Sequence, residues 1–407
     1  MKLTIHRGTN EIGGSCVEIA TASCRVLIDI GLPLDFDKRT KEEQQQIKVQ
    51  ARKWCEGVDA IFISHYHQDH HGLLSEVLPT VPVYVTAGTA AMFKINEVFL
   101  PNKNRIENLK IISPLSPINI GDIQLTAFTV DHSAYDACAF LVEAEGKKLL
   151  YSGDIRMHGR KGILYKKLPQ NVDYLLLEGT NIDKDRKSKT EEEITQEFID
   201  LFKESDDKLN FVWCSGQHID RLTNIFKAAK NTGRTVVLDV YVAAALYEIN
   251  KLNPNIPSAK SHGLKVWYSK SITYKDVQEN YSFEFQKQRI RPISIIQNPE
   301  KYVVIMRPSM LHVLQRDLTV PKANVITSMW KEYEKDSEAF FNWVGAKGYE
   351  RKYIHTSGHA DVESLKTIAD FIRPKVIIPI HTQKKEDFNT VFSQEVKMLD
   401  DNEPFSF

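Results

Sequence analysis

Cysteine is scarce and unpatterned in this chain. Cys16, Cys24, Cys55, Cys138 and Cys214 are spread over 407 residues. Their number is odd and no Cys-x-x-Cys spacing occurs, which argues against a disulfide framework or a thiolate zinc site and for free thiols in a reducing compartment. Net charge is also missing, because 53 basic residues balance 53 acidic ones. A polyanionic partner would therefore need a locally basic patch. No uncharged apolar run reaches the length of a membrane span, and Met1 to Arg7 lack the apolar stretch of a secretion signal; a soluble, cytoplasmic protein with no membrane partner is expected. Internal repeats, low-complexity tracts and heptads are absent as well. What remains is an ordinary globular composition, 42% hydrophobic and 26% charged, in a chain long enough for two or three domains.

The pattern of apolar runs predicts α/β structure. Residues 17–20 and 24–29 read as a hairpin, and 58–63, 81–85, 123–130, 148–154 and 174–179 as further strands, several apolar enough to be buried on both faces. After Glu178 the character changes. A polar linker, 184–190, leads to Thr190 and Glu193, spaced as a capping box for a helix over 191–204. Strands at 209–214, 234–239, 302–306 and 324–328 then alternate with helices at 220–231 and 241–252, a rhythm that implies a parallel sheet. Near Ala346 the chain is expected to return to the first domain, with strands at 351–359 and 375–381 around a helix over 361–372.

The densest chemistry lies in Ser64-His65-Tyr66-His67-Gln68-Asp69-His70-His71-Gly72. His65, His67, Asp69 and His70 place three imidazoles and a carboxylate at the end of the apolar run Ala60–Ile63, a donor set that suits borderline divalent metals. His132, Asp154 and His381 also follow apolar runs. Each alone is as well explained by a turn or a structural hydrogen bond. Together the seven exceed what one tetrahedral ion needs, and a carboxylate at Asp154 can bridge two.

The motif His65-x-His67-x-Asp69-His70, followed in order by His132 and Asp154 and preceded by Asp29 in Leu27-Ile28-Asp29-Ile30-Gly31, resembles the signature of the metallo-β-lactamase fold. The resemblance implies an αββα sandwich, with His65, His67 and His132 on one zinc, Asp69, His70 and His381 on the other, Asp154 bridging and Asp29 orienting ligands. The segment after Glu178 is similar to the inserted β-CASP domain of nucleases of this fold. Glu178, His359 and His381 match its three motifs. The stretch His355-Thr356-Ser357-Gly358-His359-Ala360 and the opening Gly8-Thr9-Asn10-Glu11-Ile12-Gly13-Gly14 resemble ribonuclease J. Domain limits of 1–181, 182–345 and 346–407 follow, the middle one being the insert.

The resemblance implies a nuclease that hydrolyses phosphodiester bonds with hydroxide activated by two Zn2+ ions, Mn2+ being an alternative metal. Asp69, Glu178 and His359 are its expected catalytic residues, His359 as general acid held by Glu178. His381 favours RNA over DNA, because DNA-cleaving relatives commonly lack this histidine. His355, Ser357 and Gly358 are expected at a phosphate pocket, and Ser215 and Arg221 at substrate contacts of the insert, although Ser215 also fits a capping role. Residues 156–167, 286–291 and 383–385 are candidate basic rims, and Tyr268, Tyr274 and Tyr281 candidate base-stacking rings. A DNA nuclease of the same fold and a non-nucleolytic metallo-hydrolase are the alternatives. The chain is shorter than ribonuclease J and ends soon after the His381 strand without that family's extra C-terminal domain, which carries a dimerisation element. Homodimer formation and the choice between exonuclease and endonuclease action are therefore left open.

Overall fold

The computed structural model describes residues 1–99, 106–184, 187–268, 281 and 284–407. The chain forms two units. One comprises Met1–Phe93, Asn102–Ser188 and Gly358–Phe407, and the other Lys94–Pro101 and Lys189–Ser357. The return to the first unit thus falls at Gly358 instead of near Ala346. The reason is the strand Glu350–Tyr353, which pairs in parallel with Ala323–Thr327 and so completes the sheet of the insert.

The first unit contains two seven-stranded sheets. One runs, edge to edge, Pro404–Ser406, Lys2–Arg7, Cys16–Ala20, Arg25–Ile28, Ala60–Phe62, Val83–Thr86 and Leu109–Ile112. The other runs Glu395–Val396, Val376–Ile380, Tyr174–Glu178, Lys147–Tyr151, Cys138–Ala144, Ile123–Thr129 and Ile118–Ile120. Inward residues of both sheets share one core that includes Leu3, Ile5, Val17, Ile28, Phe62, Leu125, Phe140, Tyr151, Leu176 and Ile378. The alternate residues Leu175, Leu177 and Ile377 are buried too, so the second sheet is covered on both faces, as the αββα sandwich requires. In the helix Val362–Ile372 the buried residues Leu365, Ile368, Ala369 and Ile372 form a single apolar stripe. No helix among the described residues is long and apolar enough to cross a membrane. All five cysteines are free and buried.

The second unit is built on a sheet of seven strands whose pairings are all parallel, in the order Arg289–Ile290, Leu264–Trp267, Thr235–Asp239, Tyr302–Met306, Leu209–Trp213, Ala323–Thr327, Glu350–Tyr353. The capping box expected at Thr190 is present: its side chain accepts from the Glu193 amide while the Glu193 carboxylate reaches back to the Thr190 amide.

Strand direction positions the chemistry of the first unit. Arg25–Ile28 and Ala60–Phe62 run parallel, so Asp29 and the histidine loop emerge at the same edge. In the second sheet Lys147–Tyr151, Tyr174–Glu178 and Val376–Ile380 are mutually parallel, and Ile123–Thr129 takes the same direction through two antiparallel steps. Residues 29–32 then run along the histidine loop. Ile30 N–H donates to the His70 carbonyl at 2.8 Å and Leu32 N–H to that of Gln68 at 3.0 Å. Only a glycine permits this approach, because a Cβ on Gly31 would lie 1.7 Å from the Asp69 carbonyl oxygen. Gly31→Ala is expected to destabilise the fold by roughly 1–3 kcal/mol or more in denaturant unfolding. Gly345→Ala, in the helix Glu338–Ala346 with nothing within 4 Å of the new Cβ, is expected to be neutral or to stabilise by about 0.5–1 kcal/mol.

Candidate metal centre

Every metal ligand expected from the sequence arrives in one place. His65, His67 and His132 form one group and Asp69, His70, Asp154 and His381 another, the donor atoms within each lying within 4.8 Å of one another. His65 Nε2 is 3.0 Å from His67 Nδ1, which is 3.2 Å from His132 Nε2. Asp154 sits between the groups, its Oδ2 3.2 Å from His70 Nε2 and 3.7 Å from both His65 Nε2 and His132 Nε2. His381 Nε2 lies 3.4 Å from Asp69 Oδ2.

The groups around these side chains fix which nitrogen each ring offers. His70 Nδ1 donates to Asp29 Oδ2 at 2.7 Å, and His132 Nδ1 donates to the Gly358 carbonyl at 2.6 Å. Each therefore turns Nε2 to the centre, an arrangement that recurs wherever histidines ligate metals. Asp29 is the hub of the histidine loop. It also accepts from Ser64 N–H at 2.7 Å, Ser64 Oγ at 2.8 Å and Tyr151 OH at 2.8 Å. Asp29 and His381 hold the left-handed conformation, φ 61° and 54°, unusual for residues with a Cβ, and both stand where a strand turns its chemistry inward.

Electrostatics prepares the two groups differently. Burial, helped by the neighbouring imidazoles, drives His65 and His132 well below their usual pKa, and burial takes His67 down to about 4. All three are neutral bases at neutral pH, the form that ligates metals. Burial opposes charge on His70 as well, yet Asp154, Asp29 and Asp69 outweigh it and raise its pKa. Asp69 and Asp154 stay ionised despite burial because the surrounding imidazoles, His70 and His381 foremost, favour their charged forms. Two buried atoms, His70 Nε2 and Asp154 Oδ1, have no hydrogen-bond partner of acceptable geometry among the described residues. A buried carboxylate oxygen and an imidazole nitrogen aimed at one another's surroundings are costly unless a cation completes them. The donor set thus fits a divalent metal.

Glu178 ends its strand beside the centre. Its Oε1 is 3.2 Å from His359 Nδ1, and it also accepts from the Ile155 amide at 3.2 Å. Burial would lower the pKa of His359, but Glu178, Asp154 and Asp69 raise it to about 9. Thr180 was not singled out by the sequence. Its Oγ1 lies 3.1 Å from His359 Nδ1 and 2.9 Å from His381 Nδ1. Only its place two residues after Glu178 hinted at it. Gly358, expected at a phosphate, also orients His132 through its carbonyl.

The other expected contacts fall in the second unit. Arg221 is fully buried. Its guanidinium pairs with Glu191 at 3.1 Å and hydrogen-bonds Ser328, and its Nη1 is 3.4 Å from His355 Nδ1. Removing one partner of such a pair costs about 3–5 kcal/mol, so Arg221 contributes to holding the insert together. Ser215 is not the cap of the helix Ile219–Asn231; His218 takes that position, and Ser215 Oγ accepts from the Gln217 amide in a local turn. Ser357 is half-buried just after the edge strand.

Among the basic rims, Arg156 is fully buried against Asp131. Arg160, Lys166 and Lys167 are exposed, as are Lys287, Arg289, Arg291 and Lys384, while Lys385 pairs with Asp400. Tyr281 is buried with its hydroxyl on Glu248, which removes it from base stacking, whereas Tyr268 is half-buried beneath Arg289. Tyr274 lies outside the described residues.

Comparison with known proteins adds independent findings. Residues 25–200 match a beta-lactamase superfamily domain, and residues 348–396 match a family described as a Zn-dependent metallo-hydrolase RNA specificity domain. The chain is similar to an RNase J-like protein of Methanocaldococcus jannaschii, 24% identical across 95% of this chain and 94% of that protein. It is also similar to ribonuclease J of Helicobacter pylori, 22% identical across 94% of this chain and 56% of that protein, so it spans about half the length of that relative. A crystal structure of a protein of unknown function from Enterococcus faecalis V583 superposes with a TM-score of 0.81 at 20% identity over 99% of both chains, which speaks for the fold. With the strand-end ligand set of the first unit, these matches give residues 25–200 a beta-lactamase superfamily domain and make the chain as a whole similar to ribonuclease J-like proteins.

Proposed function

We propose that this chain is a metal-dependent ribonuclease that hydrolyses RNA phosphodiester bonds with His359 as the acid for the leaving oxygen. The observation that carries the reading is the pairing of buried Glu178 with partly exposed His359 at 3.2 Å, with His359 Nδ1 also 3.8 Å from Asp154 Oδ2. A phosphodiester needs a proton donor, because its leaving alkoxide is a poor leaving group until protonated. The matched RNA specificity family over residues 348–396 supports RNA as the substrate class.

His65, His67 and His132 would hold one ion, Asp69, His70 and His381 a second, with Asp154 between them. Two divalent cations there supply Lewis acidity toward the phosphate oxygens and lower the pKa of an attacking water. Asp69 and Asp154 keep their negative charge in this site, which favours cations there. Zn2+ suits the imidazole-rich group, and Mn2+ the group with more oxygen donors. His359 keeps its proton because Glu178 favours the imidazolium, and the ring is 20% exposed, open enough to reach substrate. Glu178 is itself anchored by the Ile155 and Thr180 amides, so the ring it holds has little freedom. Five buried free thiols support a reducing, cytoplasmic setting.

Cleavage of a 5′-labelled single-stranded RNA by Zn2+- or Mn2+-loaded protein tests the reading, with DNA of the same sequence in parallel. His359→Ala is expected to slow RNA cleavage by about 10²–10⁴-fold with metal content unchanged. Loss of metal in that variant would make His359 a ligand instead of the acid. His67→Ala is expected to lose metal and cleavage together; undiminished RNA cleavage by it would sink the mechanism. Preferential cleavage of the DNA would favour the DNA-nuclease alternative.

A further inference from the structure

We propose that Thr180 is a positioning residue that selects the ligating nitrogen of His381 and the proton-bearing nitrogen of His359. The His359 half rests on the ribonuclease reading; the His381 half does not.

Thr180 follows the strand Tyr174–Glu178 and is locked by its own backbone, whose N–H donates to Glu178 Oε2 at 3.1 Å. Its hydroxyl stands between two rings, 2.9 Å from His381 Nδ1 and 3.1 Å from His359 Nδ1, and 3.5 Å from the His381 carbonyl oxygen. A hydroxyl has one proton and two lone pairs, so three neighbours leave few consistent arrangements. Glu178 Oε1 is an acceptor 3.2 Å from His359 Nδ1. That nitrogen therefore carries a hydrogen, which Oγ1 shares as a second acceptor.

His381 has two nitrogens that could reach the centre. Nε2 is 3.4 Å from Asp69 Oδ2 and Nδ1 is 3.8 Å from Asp154 Oδ1. A ring that gives one nitrogen's lone pair to a metal keeps its single hydrogen on the other, and that hydrogen needs an acceptor when buried. His381 is 1% exposed, and Thr180 Oγ1 is within hydrogen-bond distance of Nδ1 where Asp154 is not. Nδ1–H therefore belongs to Thr180, and Nε2 faces Asp69 and the metal. The hydroxyl proton turns to the His381 carbonyl. One side chain thus sets the tautomer of a ligand and steadies the ring of the acid, which couples metal binding to proton delivery.

Thr180→Val keeps the shape and removes the hydroxyl, and Thr180→Ser restores it. In Co2+ titrations followed by visible absorption, Thr180→Val is expected to weaken the second of two binding steps by about 10–100-fold. It is also expected to lower kcat for RNA more than it changes KM. Thr180→Ser is expected to recover both. In zinc-loaded wild-type protein labelled with 15N-histidine, NMR is expected to find the His381 hydrogen on Nδ1. Wild-type Co2+ affinity in Thr180→Val, or a His381 hydrogen on Nε2 in the loaded protein, overturns the inference. The Co2+ and NMR results judge Thr180 whatever the substrate is, whereas undiminished RNA cleavage by His359→Ala rejects the ribonuclease reading alone.

Discussion

One buried carboxylate organises the first unit. Asp154, 2% exposed, lies within 4 Å of five imidazoles, those of His65, His70, His132, His359 and His381. An ionised carboxylate taken from water into a protein interior is tolerated only with partners. Here the partners come from four different stretches of chain, the histidine loop and the segments around His132, His359 and His381. The two sheets must therefore align their strand ends before any of these side chains has a favourable environment. The parallel runs within each sheet, the close pass of Gly31 over Asp69, and the left-handed turns at Asp29 and His381 all serve that alignment.

Around this point, hydrogen bonds divide the imidazoles by task. Rings with an acceptor at Nδ1 turn Nε2 inward: His70 through Asp29, His132 through the Gly358 carbonyl, and His381 through Thr180. His359 differs because its Nδ1 faces a carboxylate, Glu178, that keeps it charged. The same side-chain type is thus held neutral at His65, His67 and His132 and charged at His359, and the difference lies in what surrounds each ring.

Much of this was legible in the sequence, for a physical reason. An apolar run that ends in histidine or aspartate marks both a buried strand and a candidate ligand, so the seven candidate donors stood out in the local pattern, whereas their division into two groups and the role of Glu178 came from the family resemblance. The capping box at Thr190 and Glu193 is equally local. What the pattern hid depends on contacts between distant segments. Thr180 acquires meaning only because His359 and His381 fold back onto it about 180 and 200 residues later. Arg221 occupies a helix position that looks solvated until Glu191, thirty residues earlier, is seen to meet it in the interior. The strand Glu350–Tyr353 has four exposed residues and no apolar signature of its own. Its neighbour Ala323–Thr327 decides which sheet it joins, and so moves the return point to Gly358.

The central claim is that Asp154 joins two cation sites in one centre. Metal content per chain, measured by mass spectrometry on purified protein and on Asp154→Asn, tests it most directly. The account predicts about two divalent ions in the wild-type protein and one or none in the variant. A single ion in the wild type, retained in full by Asp154→Asn, would contradict it.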